Sequence, residues 1–250
     1  MRLKDKVALV TGAASGFGLG IAEAYAREGA RVGLVDIDEA GAKRAAEVIN
    51  GDTLAIGCDV TDGDQVAAAV KAIETKWNAL DIVVNNAGWS HHNKPVLDVT
   101  EEDYDRVFAI NVKSIFHMVR SVVPVMRARG GGGVMLNIGS TAGIRPRPGL
   151  SWYNATKGAV NLVSKSLAVE LAPDKIRVNA IAPVMGVTGL LENFMGVPDT
   201  PEARAKFVAT IPLGRMSTPE DIANTSVFLA SDEAEFLTGV VMEVDGGRCV

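Results

Sequence analysis

Tyr153 and Lys157 stand four residues apart in the stretch SWYNATKGAV, residues 151–160. Positions i and i+4 share one face of an α-helix, so an ammonium at Lys157 can stand near the Tyr153 phenol and favour its ionised form. A free tyrosine titrates near pH 10. A neighbouring cation moves it towards a range useful for general acid–base work. Ser140 lies upstream at the end of an apolar, strand-like run. Its hydroxyl can hydrogen-bond a substrate oxygen, or simply cap the strand. The chemistry these three could do together is general acid–base work at a substrate oxygen.

A second set of residues points to a cofactor. Thr11-Gly12-Ala13-Ala14-Ser15-Gly16-Phe17-Gly18 joins the strand-like Val7–Val10 to a helical run ending near Glu28. Glycines at such a turn permit positive φ and let the backbone approach a pyrophosphate, while the helix N-terminus offers free N–H groups. The spacing GxxxGxG differs from both GxGxxG and the P-loop, and a glycine-rich tight turn is the competing reading. Asp36 closes the second strand-like run, 18 positions after Gly18. There a carboxylate accepts hydrogen bonds from an adenosine 2′-hydroxyl and repels a 2′-phosphate. No Lys or Arg lies in the glycine turn and Ile37 follows Asp36, so NAD is expected over NADP. A strand-end or helix-capping aspartate is the alternative.

The elements that must position these groups are legible as alternating apolar and helical runs. Val7–Val10, Val32–Val35, Leu54–Ile56, Ile82–Val84, Val134–Ile138, Val178–Ile181 and Val240–Val244 are short, apolar and β-branched, as strands covered on both faces are. Repeated βα units predict an α/β, doubly wound (Rossmann-type) three-layer fold with a seven-stranded, mostly parallel sheet. Ligands of such folds bind at the carboxyl ends of the strands. No linker divides residues 1–250, which read as one domain. Gly130 to Gly133 predict a turn. Residues 184–215, rich in Gly and Pro, are long for a βα connection and predict a lid.

In order along the chain, TGAASGFG, Asp59-Val60, Asn85-Asn86-Ala87-Gly88, Asn111, Ser140, Tyr153 and Lys157 resemble the motifs of the short-chain dehydrogenase/reductase family. The resemblance spans essentially the whole chain. It implies that Gly12, Ser15, Gly16, Phe17, Gly18, Asp36, Asp59, Val60, Asn86, Ala87, Gly88, Pro183 and Thr188 hold the dinucleotide. It also implies that Tyr153 and Lys157 contact the nicotinamide side, Lys157 through the ribose hydroxyls. Asn111 would hold a water linking Lys157 to solvent, and a homotetramer is the expected assembly. Val184 departs from the family, in which glycine is common after Pro183. The activity implied is an NAD(H)-dependent interconversion of a secondary alcohol and its ketone, with Tyr153 as general acid/base. A 3-oxoacyl-[acyl-carrier-protein] reductase and a non-catalytic dinucleotide sensor are the alternatives.

Composition narrows the partners. Net charge −5 and pI near 5.3 give no broad basic footprint for nucleic acid. No stretch reaches the ~18 apolar residues of a membrane span. The N-terminus does not read as a signal peptide, so a cytoplasmic location is expected. Cys58 and Cys249 are too far apart in sequence for a CxxC site and are expected as free thiols, and no metal is expected. For the substrate, Trp89, Trp152, Met185, Leu190 and Phe194 would suit an apolar or ring-shaped molecule, or equally pack the lid. His91 is a candidate polar contact beside His92. Arg145 and Arg147 in the RPRP loop could grip an anion, against the plainer reading of solvated arginines.

Overall fold

The computed structural model describes residues 1–189 and 191–250. Leu190, one of the apolar lid residues expected at the pocket, lies outside the described residues. Strands β1 (Val7–Thr11), β2 (Arg31–Asp36), β3 (Thr53–Gly57), β4 (Ile82–Asn85), β5 (Gly133–Ile138), β6 (Ile176–Pro183) and β7 (Val241–Val244) form one sheet in the order β3-β2-β1-β4-β5-β6-β7. Every strand pairing is parallel.

Side chains alternate across a strand, and β1 shows how that builds three layers. Val7 and Leu9 enter one core and Ala8 and Val10 the other. The second of these cores is closed by α1 (Gly16–Arg27), α2 (Glu39–Val48) and α9 (Pro219–Ala230), which contribute Ile21, Tyr25, Ala42, Ile222 and Val227. On the opposite face lie α3 (Gly63–Trp77), α5 (Ser114–Arg129) and α6 (Ser151–Leu171), with Ile73, Met118, Val122 and Leu171. Both sheet faces are therefore dry, which explains why the strands carry continuous apolar runs rather than clean alternation.

The strand order reverses between β1 and β4, and that reversal opens a crevice at their carboxyl ends. Helix α4 (Glu101–Phe108) passes into α5 through a π-helical turn, Ala109–Lys113. The expected turn at Gly130 is there: it ends α5 in a left-handed conformation at φ +67. Residues 184–215 carry two short helices, α7 (Leu191–Met195) and α8 (Pro201–Val208). They close on a small apolar cluster of their own, including Met185, Leu191, Phe207 and Ile211. Among the described residues no helix is long and apolar enough to cross a membrane.

Candidate active site

The glycine turn is held by β4, its neighbour in the sheet. Asn86 Nδ2 donates to the carbonyls of Thr11 (2.8 Å) and Gly12 (3.2 Å), and Thr11 Oγ1 accepts from the N–H groups of Asn86 and Ala87, each at 3.0 Å. Gly12 has φ +64, and a Cβ there would stand 2.8 Å from Asn86 Nδ2. A Cβ on Gly18 would stand 2.1 Å from the Gly12 carbonyl oxygen. Gly18 thus lets α1 begin directly against the turn rather than lining the cleft itself. Ser15 makes no side-chain cap on α1, so the first N–H groups of that helix face the turn uncapped by it.

Asp36 closes β2 and accepts from two backbone N–H groups. Its Oδ2 accepts from Ala14 N–H and its Oδ1 from Asp38 N–H, both at 2.9 Å, which braces the turn. The same carboxylate borders the cleft and retains acceptor capacity. Asp59 accepts from the Thr61 backbone (2.9 Å) and hydroxyl (2.8 Å), and stands beside Val60 on the same wall.

Tyr153 and Lys157 occupy the first two turns of α6, both buried. Ser140 caps the short turn Thr141–Gly143, accepting from Ala142 N–H at 3.0 Å, and its hydroxyl faces the Tyr153 phenol across the cleft, where it favours the ionised form. Lys157 Nζ donates to the Ile138 carbonyl (2.8 Å) and lies 5.8 Å from the centre of the Tyr153 ring. Burial pushes the phenol up to about 12, against the Ser140 bond and the charge of Arg147, which both lower it. Burial also pushes Lys157 down to about 8. The spacing alone predicts a phenol lowered by Lys157. In the structure desolvation outweighs every cation, and the cation that opposes it is Arg147.

Asn111 sits in the π-helical turn, behind the cleft wall. Its Oδ1 accepts from Trp89 N–H (2.9 Å), while Nδ2 donates to the Trp89 carbonyl and to Thr156 Oγ1, each at 3.0 Å. It therefore ties the loop after β4 to α6 one residue before Lys157. A π turn has no signature in a 3.6-residue pattern, so the sequence shows only an asparagine in a helical run.

Asp36, Asp59, Val60, Asn86, Ser140, Tyr153 and Lys157, but not Asn111, border one cleft of about 460 Å³, which also takes in Gly12, Ser15, Gly16, Phe17, Ala87, Gly88, Pro183 and Thr188. Val184, where the family often has glycine, packs into the lid cluster, and its N–H bonds the Val244 carbonyl at 3.2 Å. Of the expected substrate residues, Trp89, Met185 and Phe194 line the cleft, and the Phe194 ring lies 5.0 Å from that of Tyr153.

Three expected substrate residues lie elsewhere. His91 is buried off the cleft with Nδ1 2.7 Å from the His92 carbonyl, because Asn193 clamps this loop through Ser90 and Asn93. Trp152 directly precedes Tyr153 on α6, about 100° around the helix, and turns outward onto Tyr104. Arg145 is exposed and donates to the Arg248 carbonyl. Arg147, the other arginine of the RPRP loop, borders the cleft together with Arg106, Phe207 and Arg248. Arg106 stacks 4.4 Å over Trp89. Nothing local in the sequence marks Phe207 or Arg248, which reach the site from the lid and the C-terminal tail. Both cysteines are free thiols, Cys58 buried at the cleft wall and Cys249 half-buried.

Comparison with known proteins agrees with this architecture. A family profile described as "Enoyl-(Acyl carrier protein) reductase" matches residues 12–248. The chain is 46% identical to 4-formylbenzenesulfonate dehydrogenase of Comamonas testosteroni, with 99% of each chain covered. It is 41% identical to galactitol 2-dehydrogenase of Agrobacterium fabrum, again with 99% of each covered. A crystal structure of a 3-ketoacyl-(acyl-carrier-protein) reductase from Brucella melitensis complexed with NADH superposes with a TM-score of 0.93 at 46% identity, covering 99% of this chain and 100% of that one. The chain belongs to the short-chain dehydrogenase/reductase family, a family of oxidoreductases.

Proposed function

We propose that this protein is an NAD(H)-dependent dehydrogenase that interconverts a secondary alcohol and its ketone. The observation that carries the reading is the placement of Tyr153, Ser140 and Lys157 in the same cleft as the glycine turn and Asp36. The turn suits a pyrophosphate: it leads into α1, whose first N–H groups Ser15 leaves uncapped beside Gly12, Ser15 and Gly16 of the cleft lining. Asp36 favours a free 2′-hydroxyl, and the Brucella structure that this chain resembles contains NADH. Asp59, Val60, Asn86, Ala87, Gly88, Pro183 and Thr188 complete the cofactor wall.

When bound there, the nicotinamide ring supplies the hydride acceptor or donor. The chain's own work is position and proton handling. Ser140, its oxygen already accepting from Ala142 N–H, directs its hydroxyl to the Tyr153 phenol and so fixes where a substrate oxygen sits between them. In oxidation the Tyr153 phenolate takes the hydroxyl proton; in reduction the neutral phenol returns it. Lys157 holds its ammonium at the cleft wall beside Gly88, placed for ribose hydroxyls, and Asn111 keeps that wall in register as the outer member of the proton relay.

The alternative of a 3-oxoacyl-[acyl-carrier-protein] reductase draws support from the Brucella structure and from a Thermotoga maritima relative of that activity, 38% identical over 253 residues. Asp36 weighs against the NADPH such reductions generally use. A dinucleotide sensor has no need of a phenol, serine and lysine assembled at one cleft. Exposed Phe116 on α5 and Leu162 and Val169 on α6 are apolar side chains that a homotetramer would cover, and we place the protein in the cytoplasm.

The test follows absorbance at 340 nm with NAD and NADP in parallel over cyclic alcohols, polyols, hydroxy acids and 3-hydroxyacyl thioesters. NAD-linked turnover of a secondary alcohol is the expected result. Turnover confined to acyl thioesters, and faster with NADP, would transfer the assignment to the reductase.

A further inference from the structure

The two ends of the cleft carry opposite charge. Asp36 lines it against the glycine turn, whereas Arg106, Arg147 and Arg248 line it around Trp89, Phe207 and Phe194, the last of which packs on Tyr153. Arg147 and Arg248, 101 residues apart in sequence, converge on one ring: their guanidinium carbons lie 4.9 and 5.1 Å from the centre of Phe207. Each side chain bonds a neutral partner. Arg147 donates to the Phe194 carbonyl (3.2 Å) and Arg248 to the Thr210 hydroxyl (2.6 Å).

Among the described residues neither guanidinium forms an ion pair with a carboxylate. Asp245, near Arg248, already accepts from the N–H groups of Gly247 (2.8 Å) and Cys249 (2.7 Å). A second groove, which Arg147, Phe207 and Arg248 also line, holds Glu202 and Lys206, whose formal charges offset each other. Two like charges held together and partly desolvated are costly without a counter-charge. The cost is visible at Arg147, which burial first and then the Arg248 charge push down to about 10. Arg145 adds to the arrangement by tying the tail that carries Arg248.

We infer that Arg147 and Arg248 form an oxyanion subsite, and that the alcohol oxidised at Tyr153 carries a carboxylate or sulfonate at its far end. A guanidinium fork matches either group, since both present coplanar pairs of charged oxygens. Phe194 fixes the spacing. Its ring packs on Tyr153 and its carbonyl accepts from Arg147, so one residue separates the reacting end from the anionic end. The rings of Phe194, Phe207 and Trp89 between them suit an aromatic or cyclic body. This assignment rests on Tyr153 marking the reacting end, as in the function proposed above.

The experiment compares kcat/KM for 4-(1-hydroxyethyl)benzoate and 4-(1-hydroxyethyl)benzenesulfonate with that for 1-phenylethanol, all with NAD. The wild-type protein is expected to favour at least one anion by about 10²-fold, of the order a charge-assisted bidentate pair supplies. The two arms tell carboxylate from sulfonate. Arg147→Gln and Arg248→Gln should each lower the anion-to-neutral ratio about tenfold or more. A purely structural role would slow all three alcohols alike and leave the ratio intact.

Calorimetric binding of 4-acetylbenzenesulfonate and of acetophenone, with and without NADH, is read alongside turnover. Turnover with a wild-type ratio near one, or a ratio unmoved in both variants, overturns the subsite and leaves the dehydrogenase reading standing. Absent turnover with tight, Arg147-dependent sulfonate binding supports the subsite and overturns that reading. Neither turnover nor preferential sulfonate binding overturns both.

Discussion

Lys157 is a buried ammonium that donates to the neutral Ile138 carbonyl, and that environment has a thermodynamic consequence. Its folded value, lowered to about 8 from 10.5, means that the native state releases a proton that the unfolded chain still holds. The associated stability is present above the unfolded value and is lost as pH falls through the folded one. Between pH 10 and 8 the wild type should therefore lose about 2 kcal/mol relative to Lys157→Met, at ~1.4 kcal/mol per unit. Urea unfolding of both proteins at the two pH values measures it, and a constant gap would show that Lys157 titrates normally. At Tyr153 the prediction concerns rate. A phenol held up at about 12 makes oxidation base-limited, so kcat for oxidation should rise with pH across the neutral range. Tyr153→Phe should lower kcat by about 10²–10⁴-fold while the Kd for NADH stays within a few-fold. The Tyr153–Lys157 pair is legible in sequence because i and i+4 spacing fixes a shared face; the direction of the phenol's shift is not, because burial depends on Phe194 and the lid.

The glycine turn and the end of β4 act as one element. Asn86→Ala removes two donors to the turn and should cost about 1–3 kcal/mol together with at least tenfold in NADH affinity. Thermal unfolding and fluorescence titration of NADH check the two effects separately; a loss of stability without loss of affinity would detach the turn from the cofactor. At this scale the strands are the readable part of the chain, since the central ones are largely apolar on both faces. Their ends were less so: β6 runs from Ile176 to Pro183, beyond the Val178–Ile181 run, because Arg177 and Pro183 are polar or turn-forming by type yet pair in register with Val134 and Val244. The π-helical turn at Asn111 was hidden for the reason that makes it useful: one residue too many in the helix re-aims a single side chain at Trp89 and Thr156 without altering the composition.

For the molecule as a whole, a doubly wound parallel sheet places its switch point where the acidic and basic ends of the cleft meet. The acidic end carries the proposed cofactor preference: Asp36→Ala should narrow the NAD-over-NADP ratio of kcat/KM by about tenfold or more, since it removes both an acceptor and a repelling charge. The basic end was only half legible. Arg147 belongs to a conspicuous RPRP loop, but its partners Arg248 and Phe207 come from a tail and a lid helix that long-range packing alone brings in. His91, Trp152 and Arg145 show the converse, since proximity in sequence to Tyr153 or β4 did not place them in the cleft. On the proposed function, Tyr153 takes the hydroxyl proton as hydride passes from the carbinol carbon to NAD. It is tested most directly by incubating the protein with NAD and a substrate deuterated at that carbon, and weighing the NADH formed by mass spectrometry. The account predicts one deuterium per NADH with the wild type and a rate lowered by at least about 10²-fold in Tyr153→Phe. NADH without deuterium, or transfer undiminished in the variant, would contradict it.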